Sequence, residues 1–139
     1  MSDAAAPTVV LDGLDAVRAS VGTALGPTAW VELTAGRLAA FEGVCPGADL
    51  GYLLLSMTNL FMPEMVRVEG VSAGLNLGTG AITFAADGVG AGTKVRAVGT
   101  IASADDAKGG VQTTIQIQVE AEGVEHPVTT VESLSRWLE

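Results

Sequence analysis

The run "GADLGYLLLSMTNLFM", from Gly47 to Met62, lies between Pro46 and Pro63 and is the most apolar stretch of the chain. It also contains Asp49, Ser56, Thr58 and Asn59. A membrane span needs about 20 mostly apolar residues, so this segment falls short. A strand of this length would be unusual, whereas a helix of several turns is ordinary. Pro46 suits a helix start and Pro63 a helix stop. The segment therefore reads as a helix over 47–62 that needs cover from the rest of the chain.

The rest must supply that cover. Before the run, "LDGLDAVRAS" offers Asp12 as a helix cap with Leu14, Val17 and Val21 at helical spacing. Gly26-Pro27 punctuates a loop, "AWVEL" is extended, and Thr34 caps a second short helix, "AGRLAAFEG". After Val66 the pattern changes to glycine and β-branched residues. Turns are expected at Gly78–Gly80 and at 87–92, a strand at 93–103, and a turn at "ADDAKGG". In "VQTTIQIQVEAE", Val111, Thr113, Ile115, Ile117, Val119 and Ala121 alternate with polar neighbours. This is the mark of a strand with one wet face. A last strand follows at 128–138. Helices first and four or five antiparallel strands later give an α+β fold with the sheet around the helix.

The 139 residues fit one domain, with 1–10 as a flexible tail. Hydrophobic residues make up 48% and charged ones 17%, so the chain can bury a core. Sixteen acidic side chains against 7 basic ones argue against nucleic acid and anionic membrane surfaces. The single cysteine, Cys45, excludes an internal disulfide and a cysteine-based zinc site. The single histidine, His126, excludes any mechanism needing two within one chain. The opening "MSDAAAPTVV" has neither a basic start nor a long apolar core, so no secretory signal and a cytoplasmic location are expected.

Three stretches carry a family resemblance: "LDGLDAVRASVGTALGPTAWVELTAGRLAAF", the segment from "GYLLLSMTNLF" to "VRAVGTI", and "GGVQTTIQIQVEAEGVEHPVTTVESLSRWL". In order and spacing they resemble the MaoC-like dehydratases of the hotdog fold, especially the nodulation-protein-N-like branch. The resemblance implies a long central helix wrapped by a curved antiparallel sheet, and a dimer with ligand tunnels near the subunit interface. Members hydrate or dehydrate acyl thioesters with an Asp and a His on a loop just before the central helix. Here only "EGVCPGAD" precedes the helix, so that loop and both residues are absent. Where the family carries Ala-His-Gly, this chain reads "ADLG", with Leu50 in the histidine position.

The remaining candidates are few. Asp49 is either a general base in a dry tunnel or a helix cap, and the cap is the stronger reading. Gly51 matches the family glycine whose N–H polarises a carbonyl; close packing is the structural alternative. Tyr52 could donate to a ligand oxygen. Asn59 lies seven residues beyond it, on the same helix face. Asn76, in "GLNLG", matches a polar position of the family, and both asparagines are ligand-binding candidates or structural amides. A helix start can activate a thiol such as Cys45, but with no histidine nearby in sequence a nucleophilic role is not expected of it. His126 reads as exposed, in a turn away from the helix start. The expected ligand is a hydrophobic acyl or polyketide-like small molecule, with no cofactor and no metal. The expected partner is a second copy, or another hotdog chain.

Overall fold

The computed structural model describes residues 4–139. Strand β1 is Val9–Asp12, followed by helix α1, Leu14–Arg18. Two short strands, β2 (Ala24–Leu25) and β3 (Val31–Glu32), lead to helix α2, Ala35–Val44. Helix α3 runs Leu50–Met65 and passes directly into β4, Val66–Glu69. Four long strands complete the chain: β5 (Ala73–Phe84), β6 (Lys94–Ala107), β7 (Gly110–Ala121) and β8 (Thr129–Leu138). They are joined antiparallel in the order β2-β6-β7-β8-β5, with β3 also on β6, while β1 and β4 pair in parallel as a separate ribbon.

The apolar run is the central helix, displaced toward its C-terminal end. Asp49 caps it, and it continues through Pro63 to Met65 rather than stopping at Met62. Pro63 is tolerated within the last turn because its φ is helical. Its missing N–H leaves the Asn59 carbonyl without the usual donor. The sheet covers one face of α3: Leu53, Leu54, Met57, Phe61 and Met65 are buried. They meet Ile101 of β6, Ile115, Ile117 and Val119 of β7, and Val131 of β8 in one core cluster. The opposite face is not enclosed. Tyr52 and Leu60 there are 55% and 54% exposed.

Strand β7 alternates as its residues dictate. Val111, Ile115, Ile117, Val119 and Ala121 are buried, and Thr113 with them. Thr34 caps α2 by accepting from the Arg37 N–H at 3.1 Å. Other expectations shift. Asp12 ends β1, and Gly13 takes the cap position of α1. Part of the supposed tail is ordered: Val9 and Val10 pair with Val66 and Arg67, and the Thr8 hydroxyl donates to the Glu64 carbonyl at 2.8 Å. Residues 1–3 of that tail lie outside the described residues.

The glycines at 78–80 do not turn the chain. They sit inside β5, where pairing with β8 shifts register between Asn76 and Gly78 and again between Thr79 and Ile82. Gly78 has φ +115°, which only glycine adopts freely. Likewise "ADDA" extends β6, and the turn is confined to Lys108 and Gly109. On the far side, Arg18 ties α1 to the sheet through Asp106 at 2.8 Å and binds Asp15 at 2.7 Å. The Asp106 bond and then the Asp15 bond raise its pKa.

Candidate functional site

The start of α3 is built on three residues. Asp49 has extended backbone angles, and its Oδ1 accepts the Gly51 N–H at 2.7 Å. This is an N-cap bond, and it occupies the donor that the family resemblance would aim at a ligand carbonyl. Gly51 is buried beneath Phe84: a Cβ at residue 51 would lie 2.4 Å from the ring. Tyr52 meets the same ring edge-on, with centroids 4.7 Å apart and planes at 67°. Phe84 is therefore the organising residue at this end of the helix, and sequence reading missed it. Its signal was available only as an aromatic at a strand end and a glycine at a helix start, with nothing to link them.

A small cavity of about 300 Å³ lies beside this cap, bordered by Asp49, Leu50 and the segment from Phe84 to Asp87. A larger one of about 410 Å³ lies further along α3. It opens between the helix, from Leu55 to Pro63, and the inward faces of β5 and β8. Asn59, Asn76, Thr79, Ser133, Ser135 and Trp137 line it, and no ionisable side chain does. So the structure brings Asn59 and Asn76 together and leaves Asp49 at the other cavity. Tyr52 borders neither, and Gly51 is packed beneath Phe84. Asn76 also has a structural role, since its Oδ1 accepts the Gly78 N–H at 2.9 Å and braces the bulge.

Two expectations are corrected here. Cys45 is exposed and caps the C-terminal end of α2, its N–H donating to the Phe41 carbonyl at 2.8 Å. It is thus the cap at the end of α2, and the start of α3 is capped by Asp49 instead. His126 lies not at the far end of the sheet but at the end nearer the α3 cap. The β8 residue Thr129 pairs with Phe84, and Ala85 donates to the Val128 carbonyl. Even so, the His126 ring is exposed, its one hydrogen-bond partner among the described residues is the neighbouring Pro127 carbonyl at 3.1 Å, and it makes no ion pair among them. No cluster of three or more metal-ligating side chains occurs among the described residues. No helix there is long and apolar enough to cross a membrane.

No family model matches the chain. Individual relatives do. The chain is 30% identical over 116 residues to 3-hydroxyacyl-thioester dehydratase Z of Mycobacterium tuberculosis, spanning 83% of this chain and 76% of the relative. The protein of the same name from Mycobacterium bovis matches equally. The chain belongs to the MaoC-like hotdog family. Two solved structures share the hotdog fold. A monoamine oxidase regulatory protein from Archaeoglobus fulgius superposes with a TM-score of 0.67 at 12% identity, covering 96% of this chain and 99% of that one. The (R)-hydratase from A. caviae involved in PHA biosynthesis superposes with a TM-score of 0.51 at 17% identity, covering 84% and 95%. The α+β reading, a long helix against a large antiparallel sheet, is the fold of this family.

Proposed function

We propose that this chain is a MaoC-like hotdog protein without the hydratase dyad, which binds a hydrophobic acyl or polyketide-like molecule near a dimer interface. It acts on that molecule by orientation and hydrogen bonding, in an isomerisation, cyclisation or elimination. The observation that carries this reading is the start of α3. Only the segment from Cys45 to Asp49 separates α2 from α3, and its one acid holds the Gly51 N–H. The only histidine is exposed in the β7–β8 turn. Family hydration rests on an Asp/His pair that positions the water and moves its proton; the cavity at this helix start is bordered by Asp49 and Asp87 and by no histidine. Orientation alone can still lower a barrier by several kcal/mol. The curated relatives named as 3-hydroxyacyl-thioester dehydratases favour an acyl-type ligand.

The dimer is supported by β5. This strand bonds only to β8, so its other edge is open. From Ala73 to Phe84 it carries no charge and no proline, the usual guards of an unpaired edge. Leu75, Leu77 and Ile82 on it are exposed. A second copy joined edge to edge would cover these side chains, and would roof the larger cavity, which Leu75 borders. The same open edge favours a second reading, a non-catalytic subunit paired with a dehydratase of the family.

The test is a hydration assay with crotonyl-coenzyme A, following the enoyl absorbance. No turnover above buffer is expected. Hydration at a rate typical of enzymes, about 1 per second or faster, would sink the dyad-less reading. Sedimentation of the purified chain separates the two assemblies: a stable homodimer supports the first, and a monomer that dimerises only with a dehydratase supports the second.

A further inference from the structure

The larger cavity has a chemical character that the start of α3 does not. On the inward face of β8 the side chains run from buried Thr129 and Val131 to Ser133, Ser135 and Trp137. The strand thus turns polar on its helix-facing side where the cavity begins. Thr79 faces it from β5 and Asn59 from α3. The Ser133, Ser135 and Thr79 hydroxyls and the Asn59 amide make no hydrogen bond within the described residues. The nearby Ser56 and Thr58 hydroxyls are bound back to the Leu53 and Leu55 carbonyls. The free groups are all uncharged donors and acceptors, gathered in a space the size of a small-molecule site.

One wall is aromatic and held in place. The Trp137 indole donates to the Thr113 hydroxyl at 3.1 Å, and its ring lies over Gly74, where a Cβ would come within 2.5 Å. A pinned ring favours a flat partner, through offset stacking or edge contact. With no ionisable side chain in the lining and a chain of net charge −9, a phosphate or carboxylate would find no counter-charge here.

We propose that the cavity between α3 and the inward faces of β5 and β8 binds an uncharged, planar ring compound bearing several hydroxyl or carbonyl oxygens. Ser133 and Ser135 recognise its oxygens and Trp137 its ring. This rests on the small-molecule reading above and places that reading's ligand in the second half of α3, away from the Asp49 cap.

The experiment uses Trp30→Phe protein, so that Trp137 is the sole tryptophan and is excited selectively, with calorimetry on the unaltered chain as a second measure. The probes are quinizarin, its sulfonate, and the uncharged thioester crotonyl-N-acetylcysteamine. Quinizarin is expected to quench Trp137 saturably, and the sulfonate to bind at least tenfold more weakly. The Ser133→Ala/Ser135→Ala variant, with unchanged circular dichroism, is expected to lose about tenfold in quinizarin affinity. Equal binding of the sulfonate, or full affinity in the double variant, overturns the proposal. If only the thioester binds, indifferent to both serines, this assignment falls while the small-molecule reading stands. If no probe binds by either measure, both fall.

Discussion

Gly51→Ala separates the two roles that a glycine at the start of α3 can have. Alanine keeps the backbone N–H, so the 2.7 Å bond to Asp49 is available to the variant. What it adds is a methyl group 2.4 Å from the Phe84 ring and 2.8 Å from the Phe84 Cβ. Contacts that short require the helix start or the ring to move, and overpacking of this kind costs about 1–3 kcal/mol. Alanine recovers up to about 1 kcal/mol through its better helix propensity. The net expectation is a loss of about 1–2 kcal/mol. At about 2 cal/mol/K per residue, a chain of 139 residues loses about 3 °C in Tm for each kcal/mol, so a fall of about 3–7 °C follows. Urea denaturation at fixed protein concentration is the assay, since an associating chain has a concentration-dependent midpoint. The partner variant is Phe84→Ala, which removes the ring atoms of the clash. In the double variant the two losses should fail to add by about 1 kcal/mol or more. A Gly51→Ala protein as stable as the unaltered chain, or strict additivity in the cycle, would refute the packing role.

Asp49→Ala removes the cap of α3 and should cost about 0.5–2 kcal/mol in the same denaturation assay, whereas Asp49→Asn should cost less because an amide oxygen also caps. Phe61→Ala empties a site that is 1% exposed on the covered face of the central helix, and a loss of about 3–5 kcal/mol in urea would be expected. Thr79→Lys adds a charge to the uncharged open strand β5 and should convert a dimer to monomer in sedimentation, with near-UV circular dichroism preserved. His126→Gln should leave ligand binding and turnover of any substrate unchanged, because the ring is exposed and borders neither cavity.

The central helix and strand β7 were legible for the same reason. Each packs against one large surface, so burial imposes a pattern that residue order alone displays. The caps at Thr34 and Asp49 were equally legible, because capping is a bond between a side chain and a backbone a few residues away. Strand β5 was not. Nearly all of it is exposed in the single chain, so no face is marked apolar, and its glycines looked like a turn. Only pairing with β8 gives them their place as bulges. The displaced end of α3 has a similar cause: Pro63 forbids one hydrogen bond but not helical backbone angles.

The site divides along the same line. Residue types and spacing by themselves determined that no histidine stands between α2 and α3, and that Asp49 would cap α3, since these depend on composition and on neighbours in the chain. Tertiary structure decided which candidates meet. The β5–β8 register and the course of α3 bring Asn59, Asn76, Ser133 and Ser135 to one cavity, and put Phe84 on Gly51. The physical reason is range: capping and periodicity act within a turn or two of the chain. A cavity is the space left where elements far apart in sequence fail to touch, and no local rule records it.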